Sequence, residues 1–284
     1  MQFGVTTVLK SEPIPGFADK FEIKRPRPSA KKNWASFYSR SYLEEVFKII
    51  AVVVATTIGF TIAGVAGFGG GIIALPVLVW VFGVKEAIPI LCMSQALSTL
   101  SRASLHRQML NWPVARCFVL GALPFSVLGS LLFVSIDTTV LVRILGVMML
   151  LFVVYTRLPI GQNFKMQVWG FIPVGAGTGF VSAFLGIPGP FAAIFYLAYG
   201  LNASAYVGTS ALGMAAIQVP KLIIYGSSNL LTLRVLLMGI SLGLIAAGSA
   251  YLGKIILRRI PDNIFPKIIT AMLLISGVVF LIKG

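Results

Sequence analysis

The stretch Gly67-Phe68-Gly69-Gly70-Gly71 separates two apolar runs, and a second interruption, Gly186-Ile187-Pro188-Gly189-Pro190, comes 119 positions later. Each break precedes an apolar run, 72–82 in one case and 191–199 in the other, that is too short to cross a bilayer. At ~1.5 Å per helical residue such runs reach about 14 to 17 Å, roughly half of a ~30 Å hydrocarbon core. They are expected to be re-entrant half-helices. An unpaired backbone amide is costly in hydrocarbon, so a broken helix persists there only where protein, water or a ligand satisfies the freed groups. The two breaks are therefore the first candidates for a binding site.

The surrounding sequence has the composition of a membrane protein. Of 284 residues, 57% are hydrophobic and 11% charged, and the mean hydropathy is +0.94; this excludes an ordinary water-soluble domain. Eight further apolar runs approach the ~20 residues that a span needs, near 48–66, 87–105, 113–135, 139–156, 167–186, 203–225, 230–253 and 264–282. The expected fold is an all-α polytopic membrane protein of about eight transmembrane helices plus two re-entrant half-helices.

Residues 1–46 differ in kind. They are polar, with Lys20, Lys24, Arg25, Arg27, Lys31, Lys32 and Arg40 against five acids. No apolar core with a small-residue cleavage site opens the chain. The segment is expected to be a cytoplasmic basic tail held inside by its positive charge. Its mixed aromatic and charged part, 34–47, suits a helix on the membrane surface. The net charge of +15 is dispersed among apolar runs without a recognition motif, so no nucleic-acid partner is expected. Cys92 and Cys117 lack metal spacing and read as small buried residues.

Shifting the chain on itself by 119 residues places Gly67 on Gly186, Gly70 on Gly189 and Arg102 on Lys221. The order span, break, half-helix, span, span, span then occurs twice, so the chain reads as two internal repeats, 47–157 and 167–284, joined by a loop at 158–166. Such duplication recurs in secondary transporters. If the half-helices are re-entrant, each repeat makes an even number of crossings and the two are parallel. If they count as passes, the repeats are inverted. Their shortness favours the parallel arrangement.

From Phe47 onward the acids are Glu86, Asp137 and Asp262, all at expected loops or helix ends. Cation sites and many proton relays use carboxylates within spans, so the bilayer part is poorly equipped to hold a cation, and no metal or cofactor is expected. Arg102 and Lys221 remain within spans, either facing a cavity or snorkelling to the headgroups. Helices starting at Gly70 or Gly71, or at Gly189 with Pro190 in their first turn, present free amides and the positive end of a dipole. Together Gly69, Gly70, Gly71, Gly189 and Pro190 would form a donor-rich pocket for a small oxyanion. Ser94, Gln95, Ser98, Thr99, Arg102, Thr209, Ser210, Gln218 and Lys221 would complement it with neutral donors and two positive charges. His106, the sole histidine, is a candidate for proton coupling.

With these residues in place the chain resembles the sulfite exporter TauE/SafE family, also called the 4-toluene sulfonate uptake permeases. The resemblance rests on Gly67 to Gly71, Pro76, Gly83 to Ala87 and Asn111-Trp112, and in the second half on Gly186 to Pro190 and Gly208-Thr209-Ser210-Ala211. It implies transport of a small sulfur-containing anion, such as sulfite, a sulfonate, sulfoacetate or a taurine-like compound, across a bacterial inner membrane. Pro188 and Pro190 stand where glycines are typical, and the first repeat lacks the Gly-Thr-Ser triplet, so the two half-sites are not equivalent in sequence. The expected activity is that of a secondary transporter rather than an enzyme, and no P-loop motif is present to use ATP. Two rivals remain: an anion channel, and a membrane-embedded enzyme acting on a lipid phosphate or thiol.

Overall fold

The computed structural model describes residues 31–67, 70–157, 166–186 and 189–256, together with 278 and 282. The part of the tail before 31, Phe68 and Gly69 of the first break, Ile187 and Pro188 of the second, most of the inter-repeat loop and nearly all of the span expected at 264–282 lie outside the described residues. The described residues form helices, with no strand among them. In order these are α1 (Lys31–Ala66), α2 (Gly70–Phe82), α3 (Val84–Leu105), α4 (Trp112–Ser135), α5 (Thr138–Arg157), α6 (Phe171–Leu185), α7 (Gly189–Ala198), α8 (Ala203–Ser227) and α9 (Leu233–Ile256). Contacts divide the chain into a unit of residues 1–46 and one of 47–284. In the first unit the described part is helical backbone from Lys31. The second unit holds both breaks and every element from α2 onward.

Both breaks have the same local cause. Gly67 adopts φ 74° and Gly186 φ 61°, the left-handed conformation that glycine enters without a Cβ clash. Their amides bond back to the Ala63 carbonyl at 3.0 Å and the Ser182 carbonyl at 2.9 Å, closing α1 and α6 as left-handed C-caps. After the first break α2 begins inside the protein, because the Phe60 ring lies against Gly70 and the Gly70 carbonyl lies against Gly59. Asn111 caps α4 by accepting the Val114 N–H at 3.2 Å, and Asn202 caps α8 by accepting that of Ala205 at 2.9 Å.

Close glycine contacts settle the helix directions. A β-carbon on Gly121 would overlap the Ile172 carbonyl, one on Gly175 the Phe118 carbonyl, and one on Gly179 the Ala122 carbonyl, while Gly129 faces Phe180 and Ala183. Contacts advance together along both chains, so α4 and α6 are parallel. Asn111 meets Thr209 and Phe118 meets Gly213, so α4 and α8 are parallel too. It follows that α6 and α8 run the same way, with α7 reversing the chain between them.

In the first repeat, Met93 meets Gly239 and Leu97 meets Gly243, making α3 parallel to α9. Because α9 turns back from α8 through the short 228–232 connection, α3 and α8 are antiparallel. The duplicated units are thus inverted, and the parallel arrangement favoured from sequence is corrected. The reason is that α7 runs back along α6, the Ala198 carbonyl accepting the Met166 N–H ahead of α6 at 3.5 Å, so each short helix adds one reversal of chain direction.

Four helices among the described residues are long and apolar enough to cross a membrane: Leu43–Gly64, Trp112–Ser135, Ser204–Ser227 and Leu233–Leu252. Large apolar side chains such as Leu120 and Leu128 on α4, Ile223 on α8 and Leu244 on α9 are exposed, as lipid-facing surfaces require. Inward faces form two clusters. One gathers α2 and α3 with Phe133 and Tyr225; the other gathers Phe118, Phe171, Tyr196, Tyr206 and Ile217.

The α4–α6 seam joins the repeats by backbone-to-backbone contact, as small residues allow in membranes. Gly175→Val should therefore cost about 3 kcal/mol or more through overpacking, read as a lower unfolding midpoint in detergent. Gly248→Ala, where nothing lies within 4 Å, should cost nothing; equal midpoints for the two variants would contradict the seam.

Candidate functional site

Each break joins a carbonyl end to an amide end, and the structure places one buried cation at each carbonyl end. Arg102, on α3, donates from one terminal nitrogen to the carbonyls of Ala63 at 3.0 Å and Gly67 at 2.8 Å. Lys221, on α8, donates from Nζ to the carbonyl and the Oγ of Ser182, both at 3.0 Å. Ala63 and Ser182 are separated by the same 119 positions as Arg102 and Lys221, so the interaction itself is duplicated. Arg102 is 5% exposed and Lys221 0%, which rules out snorkelling. Both reach helix C-termini inside the protein, and those supply the oxygens that headgroups would otherwise offer.

The electrostatic consequence is one-sided. A helix end carries roughly half an elementary charge, negative at the carbonyl end and positive at the amide end. A full positive charge on the carbonyl end outweighs it, leaving each break positive overall. Among the described residues no carboxylate is bonded to either cation. Of the three acids after Phe47, Asp137 is exposed and Glu86 half-buried, and Asp262 lies outside the described residues. Burial of an uncompensated charge is unfavourable.

Between the breaks lies a chain of buried amides. Gln95 on α3 donates from Nε2 to the Gly186 carbonyl at the second break. Its Oε1 accepts from Gln218 Nε2 at 2.9 Å, and Gln218 Oε1 accepts from the Cys92 thiol at 3.1 Å. The two glutamines meet where α3 and α8 cross. Gln95 and Arg102 project from one face of α3 two turns apart, so a single helix face touches both breaks, about 10 Å apart along its axis.

The remaining expected residues are distributed unevenly. Gly70 and Gly71 are buried in the first turn of α2, and Gly189 and Pro190 open α7. Gly69 lies outside the described residues. Thr99 donates to the Gln95 carbonyl of its own helix at 2.7 Å, and Ser210 donates to the Val207 carbonyl at 3.3 Å. Thr209 Oγ1 accepts the Asn111 N–H at 2.9 Å and so ties the α3–α4 turn to α8. His106 in that turn packs against Gly208. Among the described residues no group of His, Cys, Asp and Glu side chains could hold a metal ion.

Two participants escaped the sequence reading. Ser182, the partner of Lys221, was findable by carrying the 119-residue shift back from Lys221's helix to the turn before the second break. Tyr206, whose ring edge lies against Gly67, had no such marker, because it comes from the other repeat.

A family model described as Sulfite exporter TauE/SafE matches residues 51–280, which include both breaks and both cations. No curated protein and no solved structure matches the chain.

Proposed function

The chain belongs to the sulfite exporter TauE/SafE family of multi-pass membrane transporters, and on that premise we propose that it is a secondary transporter for a small sulfur-containing anion bound between the amide ends of α2 and α7. Sulfite, sulfonates, sulfoacetate and taurine-like compounds are the substrate class. The observation that carries the reading is the matched pair of buried cations, Arg102 and Lys221, each on the carbonyl end of a broken helix and neither bonded to a carboxylate among the described residues. An oxyanion completes that arrangement, and a cation would be repelled by it.

In this reading the repeats, 47–157 and 167–284 with the connecting loop at 158–166, cross the membrane an odd number of times each. The helices α2 and α7 serve as short passes in place of the re-entrant segments of an eight-span scheme. Residues 1–46 form a tail on the cytoplasmic side of a bacterial inner membrane. Rocking one inverted repeat against the other around the fixed breaks gives alternating access, driven by a proton gradient or by the substrate gradient alone.

Purified protein in liposomes is expected to move labelled sulfite and short sulfonates, with and without a pH gradient. Dependence of the rate on that gradient would identify proton coupling. Absence of both flux and binding for these anions would sink the proposal. A channel of the same selectivity would instead show single-channel currents.

A further inference from the structure

The two half-sites differ in which donors are already used. In the second repeat, Lys221 is bonded to Ser182, Gln218 to Gln95, Ser210 to its own helix, and Thr209 holds the Asn111 amide. On α3 of the first repeat two deeply buried donors have no partner among the described residues: the Oγ of Ser98 and the Nε of Arg102. Ser98 is 0% exposed and Arg102 5%. Two further unpaired hydroxyls, on Thr56 and Tyr196, belong to α1 and to the aromatic cluster around Phe171.

The α3 pair is placed specifically. Gln95, Ser98 and Arg102 succeed one another at helical spacing on one face of α3. Gln95 is fastened to the second break and Arg102 to the first, so Ser98 lies between the two. The Arg102 guanidinium is fixed by its bonds to Ala63 and Gly67, and its planar fork cannot turn Nε elsewhere without breaking them. Buried donors are nearly always satisfied in native proteins, and two unpaired ones a helical turn apart match an oxyanion in number and chemistry. The position equivalent to Ser98 in the second repeat is Ile217, buried within the apolar cluster around Tyr196 and Tyr206.

We infer that the anion is held one-sidedly, its oxygens bonded by Ser98 Oγ and Arg102 Nε at the first break, while the second break contributes charge without a direct side-chain hydrogen bond. This rests on the anion-transporter reading and names Ser98 as a substrate-binding residue within it.

The test compares the mutually isosteric variants Ser98→Thr and Ser98→Val in full-length protein in nanodiscs, with Ser126→Ala on α4 as a control. Binding of sulfite and of ethanesulfonate is measured by calorimetry, with an unfolding midpoint for every variant. Thr and Val match in shape and differ in the hydroxyl, and the unfolding midpoints separate any effect of that hydroxyl on folding from its effect on binding. Ser98→Val is expected to weaken both anions about tenfold or more, the scale of a lost hydrogen bond to a charged group, while Ser98→Thr and Ser126→Ala bind as the wild type does. Equal affinities for the Thr and Val variants overturn the role of Ser98 and leave the transporter reading standing. Failure of the wild type to bind either anion overturns both.

Discussion

Lys221→Met is expected to lower anion affinity about 100-fold while leaving thermal stability within about 2 kcal/mol of the wild type. The first figure comes from Coulomb's law: taking a separation of ~6 Å between charge and anion and an effective dielectric of ~20, the attraction is about 3 kcal/mol. The second comes from two opposing costs. Removing the ammonium loses two charge-assisted hydrogen bonds to Ser182, about 1.5 to 3 kcal/mol each, but also removes the several kcal/mol spent in burying an ion. No carboxylate is left stranded, because none among the described residues is bonded to it. The Ser182 carbonyl also keeps the Gly186 N–H. Arg102→Met should behave alike, with a larger loss of affinity if its Nε contacts the anion. Calorimetry and thermal unfolding on the same samples check both numbers. A fall in stability with unchanged affinity would make these residues helix caps and nothing more.

Gln95→Leu is expected to cost about 2 to 5 kcal/mol of stability. The substitution orphans the Gly186 carbonyl and the Gln218 Nε2, each buried group costing about 1 to 3 kcal/mol when left unpaired. Gln218→Leu should cost less, since it strands one amide oxygen, while the Cys92 thiol, a weak donor, keeps the main-chain carbonyl of residue 218 at 3.9 Å. The double variant should cost less than the two singles added, by about 1 kcal/mol or more, because the glutamines share a bond. Unfolding midpoints of the four proteins close this cycle. Simple additivity would show that the crossing of α3 and α8 does not depend on the amide chain.

How much of this is legible in the sequence varies from residue to residue. The breaks at Gly67 and Gly186 are readable because only glycine enters the left-handed conformation freely, and the capped α1 and α6 end there. Arg102 and Lys221 stand out because charge in an apolar run is rare. Their partners do not, since a backbone carbonyl leaves no mark in a sequence. Thr209 and Ser210 attract notice for their hydroxyls, yet those hydroxyls hold a turn and a helix carbonyl. Ser98 reads no differently from Ser94, whose hydroxyl meets the Ile90 and Gly239 carbonyls; only packing separates a satisfied hydroxyl from an unpaired one.

By itself the sequence determined what depends on composition and spacing along the chain: a helical membrane protein, duplicated at 119 residues, broken twice, and lacking acids to neutralise its two inner cations. The tertiary structure alone decided direction and partnership. Whether α3 runs with or against α9, and so against its counterpart α8, is set by the glycine contacts at Gly239 and Gly243. Those contacts link residues far apart in sequence, and a one-dimensional pattern is the same for a repeat and for its inverted copy.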